Sequence, residues 1–324
     1  MARILAETYF IWRALGAWLL GLALISSLSG CAWLSDKERE LALRPSPGRP
    51  AAFADDKHGL RAGDQRFLQA LSAEGGGTQQ LALWWLPHPD PAAPTLLYLH
   101  GTLRSLYGNL PKIEALREAG FAILAVDYRG WGDSSFIIPS EASINADVRT
   151  AWAELVKRQP EAGKRVIFGH SMGGAVAVTL ASSLHHGSDY GALVLESTFT
   201  RLPDVAAEAG TLGKIGAAIT SLEFDSLAKI GRVDAPILML HGSADKTVPV
   251  VLGRRLRDAA PLSSTCWTEI EGGSHSRLHS EFPAQYQQAL QALIAGIQTA
   301  APWPGECRTV SAPPSTKHHH VDHQ

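Results

Sequence analysis

The 324-residue sequence has few cysteines and no excess of charge of either sign. Three cysteines are too few for a scaffold held by disulfides, and their spacing is not that of a zinc site. The 29 basic and 31 acidic residues nearly balance and form no long basic run, which argues against a nucleic-acid-binding protein. Apart from one N-terminal stretch there is no long apolar run, which excludes a polytopic membrane protein.

What is present is enough apolar sequence for a sizeable core. Apolar residues make up 45% of the chain and charged residues 19%, which excludes global disorder. The length allows two domains, although single α/β domains of this size are common.

The first thirty residues have the pattern of a secretory leader. Arg3 and Arg13 precede a nearly uninterrupted apolar run over residues 14–28, which is too short to span a bilayer comfortably. The run closes in Leu28-Ser29-Gly30-Cys31, which resembles the bacterial lipobox, whose cysteine is lipidated before the leader is cleaved. The sequence predicts a lipoprotein signal peptide over residues 1–30 and a lipid such as palmitate on Cys31. The alternative is an uncleaved N-terminal anchor in which Cys31 has no role.

A flexible tether is expected to follow the leader. Residues 31–54 contain a mixed-charge cluster at 36–40 and then Pro45, Pro47 and Pro50, a composition that buries too little apolar surface to order itself. Residues 55–300 are then the folded domain. We interpret residues 301–324, including their terminal histidines, as a partly disordered C-terminal tail and not as a metal site.

Strands and helices alternate through the predicted domain. Two runs, 66–73 and 78–86, flank a glycine-rich turn and predict an antiparallel hairpin. Shorter apolar runs begin at residues 95, 121, 165, 192, 236 and 265, and several lack polar alternation, as strands covered on both faces do. Helical spacing is found at 109–119, 144–158, 172–185 and 285–298. The pattern predicts an α/β fold with a mostly parallel, eight-stranded, doubly wound sheet flanked by helices.

The sequence Gly169-His170-Ser171-Met172-Gly173 is G-x-S-x-G, placed directly after a predicted strand and before a predicted helix. In that context a sharp turn raises the serine above the sheet, the glycines relieve crowding, and the helix N-terminus favours developing negative charge. We therefore predict that Ser171 is a catalytic nucleophile. The alternative is a glycine-rich turn whose serine only caps the helix.

A serine hydroxyl needs a base, and a group that orients the base, to act as a nucleophile near neutral pH. Asp245 follows the predicted strand at 236–240, and His275 follows the one at 265–270. The chain order Ser171, Asp245, His275 is that of a known Ser-Asp-His triad, and we predict those roles for the three residues.

Four other residues near these positions are alternatives or neighbours. Glu196, at the end of the strand after the serine, is an alternative acid. His279 is expected to face solvent at the start of the last helix. His170 and His241 are expected to satisfy polar groups of the loop backbone.

The predicted strand at 95–99 runs into His100-Gly101-Thr102, a loop whose N–H groups can turn toward the serine. We predict that the backbone N–H groups of Thr102 and Met172 form an oxyanion hole, in which each donor is typically worth ~3–4 kcal/mol. His100 itself is expected to be structural.

Together with Asp127-Tyr128-Arg129-Gly130-Trp131-Gly132-Asp133-Ser134 and His241-Gly242-Ser243-Ala244-Asp245, these motifs resemble the α/β-hydrolase superfamily over roughly residues 65–298. The nearest branch contains serine aminopeptidase-like, monoglyceride-lipase-like and small depalmitoylase-like enzymes. Members often carry a cap where this chain has residues 199–224, a span too short for a separate domain. We expect a short lid of one or two helices there, which disfavours a peptidase that needs an acidic cap. The apolar residues of the span form either a mobile lid over the serine or part of the core.

The residues and the resemblance together indicate a lipid-anchored serine hydrolase of the carboxylesterase, lipase or thioesterase kind. It would cleave carboxylic ester or thioester bonds of a small-molecule ester or acyl-lipid substrate through an acyl-enzyme on Ser171. No metal ion or cofactor is required, and no nucleic-acid partner is expected. Two alternatives stay open: a peptidase or amidase of the same fold, and a catalytically silent surface lipoprotein that binds a ligand.

The lipobox implies the bacterial cell envelope. Ala32 follows Cys31, and in Gram-negative lipoproteins an Asp at that position is the signal for retention in the inner membrane. We therefore expect a protein anchored in the outer membrane and facing the periplasm. Lipidation of Cys31 would leave Cys266 and Cys307 in an oxidising compartment, where an even pair tends to be joined. We predict a disulfide between them; the alternative is two unrelated cysteines.

Overall fold

The computed structural model describes residues 32–54, 60–72 and 76–299. The described residues divide into two compact units, one ending at Arg44 and the other beginning at Pro45. The predicted signal peptide, Cys31, Cys307 and the C-terminal tail lie outside the described residues. Cys266 lies on the last strand and is disulfide-bonded, and its predicted pairing with Cys307 stays a prediction.

In the first unit, residues 32–43 form a helix, α1, where the composition predicts an unordered tether. The charged cluster explains the difference, because its members pair at helical spacing. Lys37 donates to Glu40 over 2.6 Å, and Arg39 pairs with Asp36. Such i,i+3 pairs favour a helix, so a mixture of charges does not by itself indicate disorder.

The second half of the predicted tether is also ordered, against the loop that follows the strand at 122–127. The N–H of Gly48 donates to the carbonyl of Gly132 over 2.7 Å, and the N–H of Gly132 donates to the carbonyl of Ser46 over 2.9 Å. Arg49 and Asp133 form an ion pair of 2.7 Å. The prediction of a flexible segment is therefore wrong for this stretch. Main-chain hydrogen bonds to a distant loop order it, and composition does not reveal such bonds.

The second unit contains an eight-stranded sheet with the strand order β1-β2-β4-β3-β5-β6-β7-β8. β1 pairs antiparallel with β2, and β2 pairs antiparallel with β4. All the remaining pairs are parallel. The predicted hairpin and the mostly parallel sheet are thus confirmed. The strands are β1 (Gln65–Ser72), β2 (Thr78–Leu86), β3 (Thr95–Leu99), β4 (Ala122–Asp127), β5 (Arg165–His170), β6 (Ala192–Glu196), β7 (Ile237–Gly242) and β8 (Thr265–Ile270).

Helices follow most of the parallel strands. They are α2 (Leu106–Ala119), α3 (Glu141–Arg158), α4 (Met172–Ala181), α5 (Leu202–Glu208), α6 (Thr211–Ile219), α7 (Leu227–Ile230), α8 (Val250–Ala259), α9 (Leu278–Glu281) and α10 (Pro283–Thr299), with single 3-10 turns at Ala51–Phe53, Ala162–Lys164 and Leu262–Ser264. The sequence does not predict α8, because Leu252, Gly253 and Leu256 are its buried residues and make a narrow apolar stripe.

The core lies on both faces of the central strands. Every residue of β3, β4, β5, β6 and β7 is buried, as the unalternating apolar runs predict. Residues of α2 and α10 share one cluster with side chains of the sheet, while α3 and α4 contact strands in the middle of the sheet. Because β3, β5, β6, β7 and β8 run parallel, the loops after them all leave the same edge of the sheet.

Candidate active site

Ser171 stands at the turn between β5 and α4 in a conformation that few non-glycine residues adopt. Its φ is 56° and its ψ is −122°. The glycines on either side allow this turn, because a Cβ on Gly169 would overlap the backbone of Gly173, and a Cβ on Gly173 would overlap the carbonyl of Leu99. The Ser171 side chain makes no capping hydrogen bond to α4. That observation argues against the alternative in which the serine only caps the helix.

Ser171, Asp245 and His275 come together as the sequence predicts. Nε2 of His275 lies 3.1 Å from Oγ of Ser171, and Nδ1 of His275 lies 2.7 Å from Oδ2 of Asp245. A carboxylate can only accept, so Nδ1 of His275 carries the proton and Nε2 presents its lone pair to the serine hydroxyl. This is the tautomer that can remove a proton from Oγ.

Asp245 is held as a carboxylate by several donors. Its Oδ1 accepts from the N–H groups of Thr247 and Val248, both over 2.8 Å. Burial alone would raise the pKa of the Asp245 carboxyl, but hydrogen bonds from His241 and His275 outweigh burial and hold that pKa well below its usual range. The negative charge that orients His275 therefore persists under acidic conditions.

The alternative acid, Glu196, is engaged elsewhere. Its carboxylate forms a buried ion pair with Lys112 and accepts from the hydroxyl of Tyr286 over 2.8 Å. No described contact joins its side chain to His275. The structure thus places Asp245, and not Glu196, behind the imidazole.

The neighbouring histidines differ in their surroundings. Nε2 of His170 lies 3.0 Å from the carbonyl oxygen of His275, and Nε2 of His241 lies 2.9 Å from that of Val248, so both satisfy loop backbone as expected. His279 is half-buried, with its ring 6.2 Å from that of Tyr286. The expectation that His279 faces solvent is wrong, because α9 turns it toward α10.

The predicted oxyanion donors, Thr102 and Met172, lie in the loop after β3 and at the start of α4. A Cβ on Gly101 would lie 3.1 Å from Cβ of Ser171, so the loop after β3 passes directly beside the serine. Met172 is the first residue of α4, and the N–H groups of the first helical turn have no acceptor within the helix. Among residues 76–299, neither N–H donates to a described acceptor. Their role in binding an oxyanion stays a prediction.

The lid span forms two short helices, α5 and α6, within the expected range of one or two. The sequence leaves open whether its apolar residues form a lid or part of the core, and these residues differ in exposure. Leu222 is buried, whereas Leu212 and Ile215 are 84% and 57% exposed. The end of the span is therefore part of the core, and the α6 side chains Leu212 and Ile215 face outward.

One cleft lies apart from the triad. It has a volume of about 880 Å³ and is lined by β1, β2 and the loop at residues 132–134. None of Ser171, Asp245 and His275 lines it, so its size says nothing about the reaction pocket. In the described ranges, no group of three His, Cys, Asp or Glu side chains is arranged to hold a metal ion. No helix in these ranges has both the length and the hydropathy to cross a bilayer.

Parts of this chain are similar in sequence to known proteins. Residues 90–227 match the family model described as serine aminopeptidase, S33, a range that includes Ser171 and ends before Asp245 and His275. The chain is 30% identical over 225 residues to the lysophosphatidylserine lipase ABHD12 of Danio rerio, a match that covers 64% of this chain and 56% of the relative. The chain spans about half the length of the curated relatives it matches.

Solved structures show the same fold. An alpha-beta hydrolase of Vibrio vulnificus superimposes with a TM-score of 0.62 at 21% identity, covering 79% of this chain and 92% of that chain. The esterase Pf2001 of Pyrococcus furiosus superimposes with a TM-score of 0.59 at 18% identity, covering 78% and 97%. The fold of this chain is thus a known architecture.

Proposed function

We propose that this chain, which has the α/β-hydrolase fold, is a serine hydrolase that cleaves carboxylic ester or thioester bonds through an acyl-enzyme on Ser171. The observation that carries the proposal is the continuous hydrogen-bonded chain from Ser171 through His275 to Asp245. Each member has the donor or acceptor that its role requires.

The reaction begins when Nε2 of His275 accepts the proton of the Ser171 hydroxyl as Oγ attacks the substrate carbonyl. The oxyanion that forms is stabilised by the N–H groups of Thr102 and Met172, with help from the N-terminus of α4. Asp245 stabilises the imidazolium that His275 has become. His275 then protonates the leaving alcohol or thiol, and the acyl group remains on Oγ.

Water completes the cycle by the same route. His275 removes a proton from the water molecule as it attacks the acyl-enzyme carbonyl, and the second tetrahedral intermediate expels Ser171 with its proton restored. Only the side chains and backbone groups named above take part, and each proton that His275 accepts is passed on to the leaving group or back to Ser171.

An acyl lipid is the substrate class that several observations support. Leu212 and Ile215 on α6 expose apolar surface, which suits an acyl chain better than a charged substrate. The Danio rerio relative is named a lysophosphatidylserine lipase, which is an enzyme of a monoacyl lipid. The lipobox at Cys31 supports a lipid-anchored protein of the bacterial cell envelope, held in the outer membrane and facing the periplasm.

Peptidase or amidase activity is the second candidate, because the matching family model is described as serine aminopeptidase. A matched substrate pair separates the two. The detergent-solubilised full chain is assayed on p-nitrophenyl octanoate and on octanoyl p-nitroanilide, which share the acyl group and differ in the bond. The proposal predicts that kcat/KM for the ester exceeds that for the anilide by about 10³ or more. Comparable values would favour an amidase, and no turnover of either would favour the silent binding protein.

A further inference from the structure

His170 lies next to three parts of the proposed catalytic machinery: the nucleophile, the base and the loop that carries Thr102. It is the last residue of β5 and directly precedes Ser171. Its Nε2 lies 3.0 Å from the carbonyl oxygen of His275, and the two imidazole rings lie 5.0 Å apart, inclined by 45°. On another side is the loop that carries Thr102, since a Cβ on Gly101 would lie 3.5 Å from Nδ1 of His170.

The direction of that hydrogen bond fixes the tautomer of His170. A carbonyl oxygen accepts, so Nε2 of His170 carries the proton and donates. The carbonyl of His275 is thus held by the last side chain of β5, the strand that leads to the nucleophile. The neighbouring residues of the loop are held separately, for example by the hydrogen bond from the N–H of Ser274 to Glu281 over 3.1 Å.

The surroundings of His170 favour the uncharged imidazole. The side chain is buried, and burial lowers the pKa of His170 well below its usual value. The ammonium of Lys112 from α2 lowers that pKa further, and so do the side chains of His275 and His279, whereas the hydrogen bond to the carbonyl of His275 opposes the shift. Lys112 is itself buried in its ion pair with Glu196. If His170 were protonated, its positive charge would lie beside His275 and would destabilise the imidazolium that forms there during acyl transfer.

We propose that His170 is a positioning residue for the base: through the hydrogen bond from its Nε2 it holds the main-chain carbonyl of His275 and so sets the distance between Nε2 of His275 and Oγ of Ser171. This inference rests on the proposed function, since it assigns a role within that reaction. A misplacement of about 1 Å in a catalytic group can lower a rate by ~10². One hydrogen bond to a loop carbonyl can therefore affect turnover strongly while it contributes little to substrate binding.

The test compares His170→Leu with His170→Gln in the full chain. Leucine fills similar volume without a donor, whereas the glutamine side-chain amide places an N–H near the position of Nε2. We expect His170→Leu to lower kcat about 10–100-fold with KM within about 2-fold, and His170→Gln to recover kcat to within about 5-fold of wild type. His185→Leu, at an exposed position outside the site, is the matched control and should retain wild-type kcat.

A second readout does not depend on turnover. The Nδ1 proton of His275 in its hydrogen bond to Asp245 gives a far-downfield proton signal by NMR, which should shift or broaden in His170→Leu and return in His170→Gln. If His170→Leu does not fold, as judged by circular dichroism, the comparison becomes His170→Gln against His170→Asn, whose shorter amide should fail to rescue.

Equal loss of kcat in the leucine and glutamine variants, or no loss in either, would overturn the inference, as would an unchanged proton signal in His170→Leu. Failure of the proposed function is seen separately, as a wild-type protein that hydrolyses no ester. In that case the NMR comparison still decides whether His170 positions His275.

Discussion

Glu196 and Lys112 form an ion pair with almost no exposure to solvent, although Glu196 lies beside His170 in the register of the sheet. Burial lowers the pKa of Lys112, and the pairing with Glu196 opposes that shift. Glu196 also accepts from Tyr286 of α10, so the pair joins α2, β6 and α10 behind the site. Glu196, on the strand next to that of the serine, therefore contributes to the fold, and Asp245, from the loop after β7, orients the base.

This arrangement predicts opposite effects for two carboxyl-to-amide changes. Asp245→Asn should lower kcat on an ester by about 10⁴, because the imidazole loses its orienting charge and its tautomer. Glu196→Gln should keep kcat within about 10-fold of wild type but lower the free energy of unfolding by about 3–5 kcal/mol, because it leaves the buried ammonium of Lys112 unpaired. Ester kinetics and urea unfolding of both variants measure the two effects. Normal ester turnover in Asp245→Asn, together with loss of turnover in Glu196→Gln, would mean that Glu196 is the acid of the triad.

The depressed pKa of Asp245 predicts a pH-dependent contribution to stability. A carboxyl whose folded-state pKa lies below its unfolded value of ~3.9 stabilises the fold above that pH, and the contribution is lost as pH falls toward the folded-state pKa. Wild type should therefore exceed Asp245→Asn in free energy of unfolding by on the order of 2 kcal/mol at pH 6, and by less at pH 3. Urea midpoints at the two pH values test this. A difference in free energy of unfolding that is the same at both pH values would show that folding does not favour the ionised form of Asp245.

The exposed side chains of α6 predict a dependence on acyl-chain length. The double variant Leu212→Gln with Ile215→Gln should lower kcat/KM for p-nitrophenyl octanoate about 10-fold and leave the acetate within about 2-fold, since each buried methylene is worth ~0.8 kcal/mol. Leu262→Gln, which changes an exposed leucine outside the lid span, is the matched control. A wild-type enzyme with equal kcat/KM for acetyl, butyryl and octanoyl esters would contradict an acyl-binding role for α6.

The strand ends explain why so much of the site could be predicted. Ser171, Asp245 and His275 each lie in the turn or loop that follows a strand, and parallel strands bring such positions to one edge whatever their separation in sequence. The sharp turn at Ser171 requires neighbours without a side chain, and these appear in the sequence as glycines. Both kinds of information are present in short stretches of sequence.

The remaining features depend on contacts between distant segments. Lys112 and Glu196 are 84 residues apart in the sequence. A lysine within a predicted helix is usually assigned to the solvent-exposed face, and only the folded structure shows that Lys112 is buried. The same holds for the ordered segment at 45–54, which depends on main-chain bonds to Gly132. The bond from His170 to the His275 carbonyl joins residues 105 positions apart, and no periodicity signals it.

The proposed anchor at Cys31 has a separate test in cells. We expect labelled palmitate to be incorporated into wild type and into Cys307→Ser, but not into Cys31→Ser. Cys31→Ser should also appear in the soluble envelope fraction or as an uncleaved precursor, because the lipid is required before the leader is removed. Full membrane retention of Cys31→Ser with its leader intact and no change in labelling would favour a plain N-terminal anchor.

The role of Ser171 as nucleophile is tested most directly by covalent labelling. A fluorophosphonate should add one phosphonyl group to the wild-type protein, located on Ser171 by peptide mass spectrometry, and should add none to Ser171→Ala. Ser171→Ala should also lower ester turnover by about 10⁵–10⁶, or roughly 7–8 kcal/mol of barrier. Ser188→Ala, at an exposed position outside the site, should be labelled like wild type. Labelling at another residue, or unchanged turnover in Ser171→Ala, would contradict the assignment of Ser171 as the nucleophile.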